Sequence, residues 1–198
     1  MKDTAMKTAF LPIFSMLVIL ASGSVASAHS FSTLFAAPTS GAEAANGRQA
    51  LDGFLFAAGE RDGHPNETAD GHLGGLDVNV LIVDMAAEGE AAAIRAKTLI
   101  GRRDVDMLVG AIGTDIEADF RRQTNGRPTV FLTPPPQGQP QMLTMDGESL
   151  AGSFEKAFGY APTPWVLAGY RAARIIDRAV RAVDGDFSRT QELNAAFR

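Results

Sequence analysis

A chain of 198 residues, 45% hydrophobic and 21% charged, is long enough to bury a sizeable core and is one domain's worth of protein. Its formal charge of −5 argues against nucleic acid or an anionic membrane surface as the main partner. The absence of cysteine excludes both a disulfide framework and a thiolate metal site.

The chain opens with "MKDTAMKTAFLPIFSMLVILASGSVASAHS". Lys2 and Lys7 make a basic start, an apolar run follows from Ala9 to Ala21, and Ala26-Ser27-Ala28 has the small-residue form of a signal-peptidase site. The apolar run is shorter than the roughly 18 residues a spanning helix needs, so residues 1–28 read as a cleaved secretory signal and not as an anchor. The mature chain is expected to begin at His29, to hold about 170 residues and to carry a charge of about −6. It is expected in the periplasm or outside the cell, with no membrane insertion after cleavage.

Ser32 to Pro38, "STLFAAP", reads as a buried strand that ends in the turn "PTSG". Asn46 to Arg61 has helical periodicity, with Leu51, Phe54, Leu55 and Ala58 on one face. A loop rich in Gly, Asp, Pro and His leads to a second strand, Val78 to Val83, within "LDVNVLIVD". Glu88 to Gly101 is the next predicted helix, with Gly101 as its stop. Met107 to Ile112 is a third strand, and Gly113-Thr114 opens a helix to about Thr124. Asp115 and Glu117 suit the positive end of that helix.

Thr129 to Leu132 is the fourth strand. After Thr133 come three prolines, Pro134 to Pro136, and the chain turns β-like again at Met142 to Met145, a short fifth strand. Ser149 to Phe158 and Thr163 to about Asp184 are predicted helices. On the longer one, Arg171, Arg174, Arg178 and Arg181 form a solvated stripe opposite Ala172, Ala173, Ile176, Ala179, Val180 and Val183. Ser188 and Gln191 have the spacing of a capping box for a last helix. Strand–helix alternation with apolar strands predicts an α/β fold: a single, doubly wound, mostly parallel sheet of about five strands with helices on both faces.

Few residues are candidates for chemistry. With no thiol, only His29, His64 and His72 can act as imidazole bases, and no spacing pairs titratable groups for acid–base work. "ERDGHPNETADGH" sets His64 and His72 among Asp62, Glu67 and Asp70, which is a polar solvent loop or a metal site. His29, once N-terminal, offers an amine and an imidazole to copper, or is an accident of the cleavage point. "GAIGTD" is not a dinucleotide fingerprint, and there is no P-loop. The expectation is a non-catalytic protein without cofactor or metal. In an open sheet of this kind ligands lie beyond the carboxyl ends of the strands. Those positions are "PTSGAEAANG" after the first strand, Gly113-Thr114-Asp115 after the third and Thr133 to Gln137 after the fourth. Thr114 is either a helix cap or a hydroxyl that holds a carboxylate beside open backbone N–H groups.

At these residues the chain resembles the type I periplasmic binding proteins, specifically the leucine/isoleucine/valine-binding branch that feeds ABC importers. "PTSGAEAANGRQALDGFLFA" is similar to that family's first turn and helix, and "GGLDVNVLIVD" to its second strand. "EGEAAAIRAKTLIGRRDVDMLVGAIGT" is similar to the next helix and strand, "GRPTVFLTP" to the fourth strand, and "FEKAFGYAPTPWVLAGYRAARIIDRAVRAV" to the late helices. The order and spacing hold across nearly the whole mature chain. The family has two lobes, the second inserted after the fourth strand of the first, and "QMLTM" resembles the strand that returns from it. The resemblance therefore implies that residues 29–198 are a first lobe alone, with residues 133–141 as a stiff bridge where the second lobe would be.

The resemblance further implies a ligand site bordered by Thr114, Gln137, Asn46, Trp165 and Pro135. Thr114 matches the hydroxyl after the third strand, and Pro135 and Gln137 match the positions after the fourth. Pro135 has no N–H, so one donor typical of the family is missing. Asn46 stands where relatives often carry an aromatic that covers the ligand, and Trp165 lies in a region that also contributes an aromatic. The implied partners are a weakly bound amino acid or small organic acid and an ABC permease. A second expectation is an accessory module, in which the strand-end surface docks a partner protein or self-associates with a second copy.

Overall fold

The computed structural model describes residues 30–60, 62, 68–86, 90–102, 105–110, 124, 126–135 and 142–197. The expected signal segment, the helix after the third strand with Thr114, and the linker from Pro136 with Gln137 lie outside the described residues. In chain order the elements are β1 (Ser30–Ala37), α1 (Ala44–Gly59), β2 (His72–Leu73), β3 (Leu76–Asp84), α2 (Glu90–Gly101), β4 (Met107–Gly110), β5 (Thr129–Phe131), α3 (Leu150–Phe158), α4 (Pro164–Ala182) and α5 (Thr190–Ala196).

The strands form one five-stranded sheet in the order β2-β3-β1-β4-β5. β1 pairs in parallel with β3 and β4, and β4 with β5, so Phe35 sits between Ile82 and Val109. β1 is buried on both faces, because a central strand in a parallel sheet has helices above and below it. Phe31, Phe35 and Ala37 enter the larger core with α1 and α4, while Leu34 and Ala36 enter a smaller one with Ala96 and Ile100 of α2. The expected two-faced α/β sheet is therefore the observed one.

Glycine decides how α1 and α4 meet. A Cβ on Gly169 would stand 1.7 Å from the Ala50 carbonyl oxygen, and one on Gly53 would stand 2.0 Å from that of Val166. Bare backbone on both helices permits an approach that any side chain would block. α4 starts where its sequence says it should: the Thr163 hydroxyl accepts from the Val166 N–H at 3.3 Å, with Pro164 in the first turn. α3 ends on Gly159 at φ 80°, whose N–H donates to the Glu155 carbonyl. Phe154 stacks on Phe158 at 4.6 Å and meets Phe56 edge-on at 5.4 Å, so aromatic contacts dock α3 onto α1.

Two sequence expectations are corrected. Met142 to Met145 is not a sheet strand. Leu143 makes a single antiparallel bridge to Ser149, and the backbone closes a local loop: Thr144 N–H donates to Glu148 O at 2.9 Å and Leu150 N–H to Met142 O at 3.0 Å. With those groups engaged locally, and Met145 N–H donating to the Glu60 carboxylate at 3.2 Å, there is no ladder to make. The fifth strand is β2 instead. It forms a tight hairpin with β3 through Gly74 and Gly75, at φ 68° and 88°, the backbone a two-residue turn of this hand demands. The Gly-Gly pair between "HL" and "LD" was the signal for it. The capping box at Ser188 and Gln191 does not form either. Arg189 occupies the N-cap, and Ser188 bonds Asp186 through both its N–H and its hydroxyl.

Candidate functional site

Along the chain the strands first step from β1 to β3 on one side, then cross to β4 and β5 on the other. In open sheets of this kind such a reversal marks the usual ligand position, here beyond the carboxyl ends of β1 and β4. Backbone is closely packed at these strand ends. Asp84, at the end of β3, accepts from Thr39 N–H at 2.9 Å and from Ala86 N–H at 3.0 Å through one oxygen, so it ties two strand-end loops together. Arg48 donates from Nε to the Thr39 carbonyl at 2.8 Å. Gly47 lets the first turn of α1 press on the end of β1, where a Cβ would lie 1.8 Å from Pro38 O. Gly110, the last residue of β4, lies as close to β1, with a built Cβ 2.3 Å from Ala36 O.

Of the expected site residues, Asn46 lies in the first turn of α1, half-buried, and its Nδ2 donates to Glu43 at 2.5 Å. Trp165 lies in the first turn of α4, half-buried against the larger core. The two turns are linked by the Thr163 hydroxyl, which donates to Gln49 Oε1 at 2.8 Å. Pro135 is buried beyond β5. Thr114 and Gln137 lie outside the described residues.

A second concave region runs along α4. A cavity of about 410 Å³ is lined by Met142, Leu143, Arg171, Arg174, Ile175 and Arg178. Arg171 and Arg174 are half-buried there, so the stripe read from sequence as solvated is in part a cavity wall. The sequence signal was present in the i, i+3, i+7 spacing, but nothing local said what would face it. Beneath the cavity the Tyr170 hydroxyl donates to Glu60 at 2.9 Å and accepts from Arg174 Nη1 at 3.2 Å. Burial pushes the Tyr170 phenol up to about 12, so it stays protonated at neutral pH, and burial also raises the Glu60 carboxyl. Two further cavities, of about 260 and 500 Å³, flank the start of β5 near α5. None of these three cavities is lined by Asn46, Trp165 or Pro135.

His72, a metal candidate in the sequence, bridges the hairpin: Nε2 lies 2.6 Å from Asp77 and Nδ1 3.3 Å from Asp62. Among the described residues no group of three or more His, Cys, Asp or Glu side chains is placed to hold a metal ion. His29, His64 and Glu67 lie outside them. Among the described residues no helix is long and apolar enough to cross a membrane.

No protein-family profile matches the sequence, and no curated protein matches it. Solved structures do resemble it. A solute-binding protein of an ABC transporter from R. palustris, in complex with benzoate, superposes with a TM-score of 0.58 at 14% identity, over 86% of this chain and 85% of that one. An ABC transporter substrate-binding protein from Sphaerobacter thermophilus gives 0.54 at 13% identity, over 85% of each chain. At these identities the likeness shows the fold alone, a layered α/β arrangement shared with these solute-binding proteins.

Proposed function

We propose that a chain with this fold is an exported, non-catalytic solute-binding lobe linked to ABC-type import, and that its ligand is a small organic acid or amino acid. The observation that carries this reading is the reversal of strand order at β1 and β4, in a fold whose solved neighbours are solute-binding proteins. The ligand's carboxylate would lie over the carboxyl ends of those strands, where Gly47 and Gly110 keep backbone close and side chains out of the way. In this reading Thr114, Gln137, Asn46, Trp165 and Pro135 border the site. Residues 1–28 act as the export signal, and the proline segment stands in for a second lobe.

A lone lobe sets a limit on affinity. A micromolar solute-binding protein gains about 8 kcal/mol from enclosure on both sides, and half of that, about 4 kcal/mol, corresponds to millimolar binding. Contacts left open to water on one side are weaker still. Calorimetry of the mature chain with benzoate, leucine, isoleucine and valine tests this. The expected result is millimolar binding of at least one of them, weakened by Thr114→Ala or Asn46→Ala. Micromolar binding by a monomer would refute the one-lobe account, and no binding at any concentration would refute the solute site.

A further inference from the structure

We propose that the groove along α4 is a second binding site, separate from the strand ends, and that it takes a carboxylate with an apolar body. Its cavity of about 410 Å³ falls within the range of roughly 300–1,000 Å³ typical of small-molecule sites. The lining is of two kinds. Arg171, Arg174 and Arg178 repeat along one side of α4, while Met142, Leu143 and Ile175 are apolar. Leu143 is 55% exposed, a large apolar side chain left open to solvent beside guanidinium groups. An anion without an apolar part leaves that surface wet, and a neutral hydrocarbon does not use the arginines. One molecule carrying both features answers both.

The site is also fixed in position, which separates it from an ordinary solvated charge stripe. Arg174 donates to Tyr170, over whose ring its guanidinium carbon lies 5.9 Å from the centroid, and Tyr170 in turn donates to Glu60. Glu60 accepts from the Met145 N–H, and the Leu143 carbonyl lies 3.4 Å from the Tyr170 hydroxyl. One network therefore holds both the arginine side and the Met142–Leu143 wall. Ordering the groove in advance lowers the entropy cost of binding. A guanidinium has five N–H donors, so the bond to Tyr170 leaves Arg174 able to meet a carboxylate. Glu60 offsets part of the Arg174 charge, and the exposed Arg178 stands beside it in the same wall.

The experiment is an octanoate titration of the protein by calorimetry, with amide resonances followed in parallel. Saturable one-site binding is expected, with resonance shifts concentrated at 142–143 and 171–178. Arg171→Gln with Arg178→Gln should weaken it at least tenfold while the circular dichroism spectrum stays unchanged. Inorganic phosphate and octylammonium should each bind at least tenfold more weakly. Absence of saturable octanoate binding overturns the proposal. So does equal binding of phosphate or octylammonium, full retention by the double variant, or resonance shifts confined to the strand ends. If the double variant unfolds, the mapping on the unaltered protein and the single Arg178→Gln variant decide, since Arg178 is exposed.

Discussion

Replacing Gly169 by alanine forces α1 and α4 apart, and the structure gives the size of the effect. The new Cβ would stand 1.7 Å from Ala50 O and 2.7 Å from Ala50 C, whereas a carbon and a carbonyl oxygen rest about 3.3 Å apart. The helices must separate locally by roughly 1.5 Å, and a gap of even about 1 Å forfeits up to half of each dispersion contact across it. The obstacle is backbone, so no side chain can swing away. Overpacking of this kind costs about 1–3 kcal/mol and more where the neighbours cannot yield, while the gain in helix propensity returns about 1 kcal/mol. Because the obstacle is backbone, the cost sits at the top of that range, and a net loss of about 2 kcal/mol follows, or about 4–8 °C in Tm for a domain of this size. Gly152→Ala is the control, since its Cβ meets nothing within 4 Å. It should gain up to about 1 kcal/mol from propensity alone. Urea unfolding followed by circular dichroism measures both. If Gly169→Ala matches the unaltered protein or exceeds it, the close approach of α1 and α4 is not what packs this fold.

Four further outcomes are expected. Thr33→Val should stabilise by about 1 kcal/mol in urea unfolding, because the Thr33 hydroxyl is fully buried in the central strand and has no hydrogen-bond partner among the described residues. Asp177→Ala should cost about 2–3 kcal/mol and speed amide exchange at Gly74, whose N–H donates to that carboxylate at 2.7 Å. Arg127→Ala should cost a similar amount, about 2–3 kcal/mol, by freeing the Ile100 carbonyl, 2.7 Å from Nη2, and the Val105 carbonyl. The pH dependence has a definite sign. Burial raises the Glu60 carboxyl above 4.5, so just above that pH the native state binds more protons than the unfolded chain and stability falls as pH rises; Glu60→Gln should flatten the slope. Tyr170 acts the same way between pH 10 and about 12, where Tyr170→Phe should remove part of the alkaline loss seen in unfolding titrations.

The sequence by itself determined the class of fold. Runs such as "STLFAA" and "VNVLIV" read as strands, and the helical periodicities on the described segments fall within a few residues of the observed elements, because each segment carries its own pattern of apolar faces. Of the five candidate site residues, Asn46 and Trp165 lie in the first turns of α1 and α4, and Pro135 lies beyond β5. Only the tertiary structure decided the rest. "MLTM" looks like a strand but closes a loop with its own backbone, while "HL", too short to read as one, pairs with β3 across two glycines. The arginines of α4 looked solvated until Met142 and Leu143 came to lie against them. The physical reason is common to all three. A residue's polarity and its local conformational preference are written in its own neighbourhood. Which backbone group it bonds, how closely two helices approach and what covers a charged face are set by segments distant in the chain, which meet only when it folds.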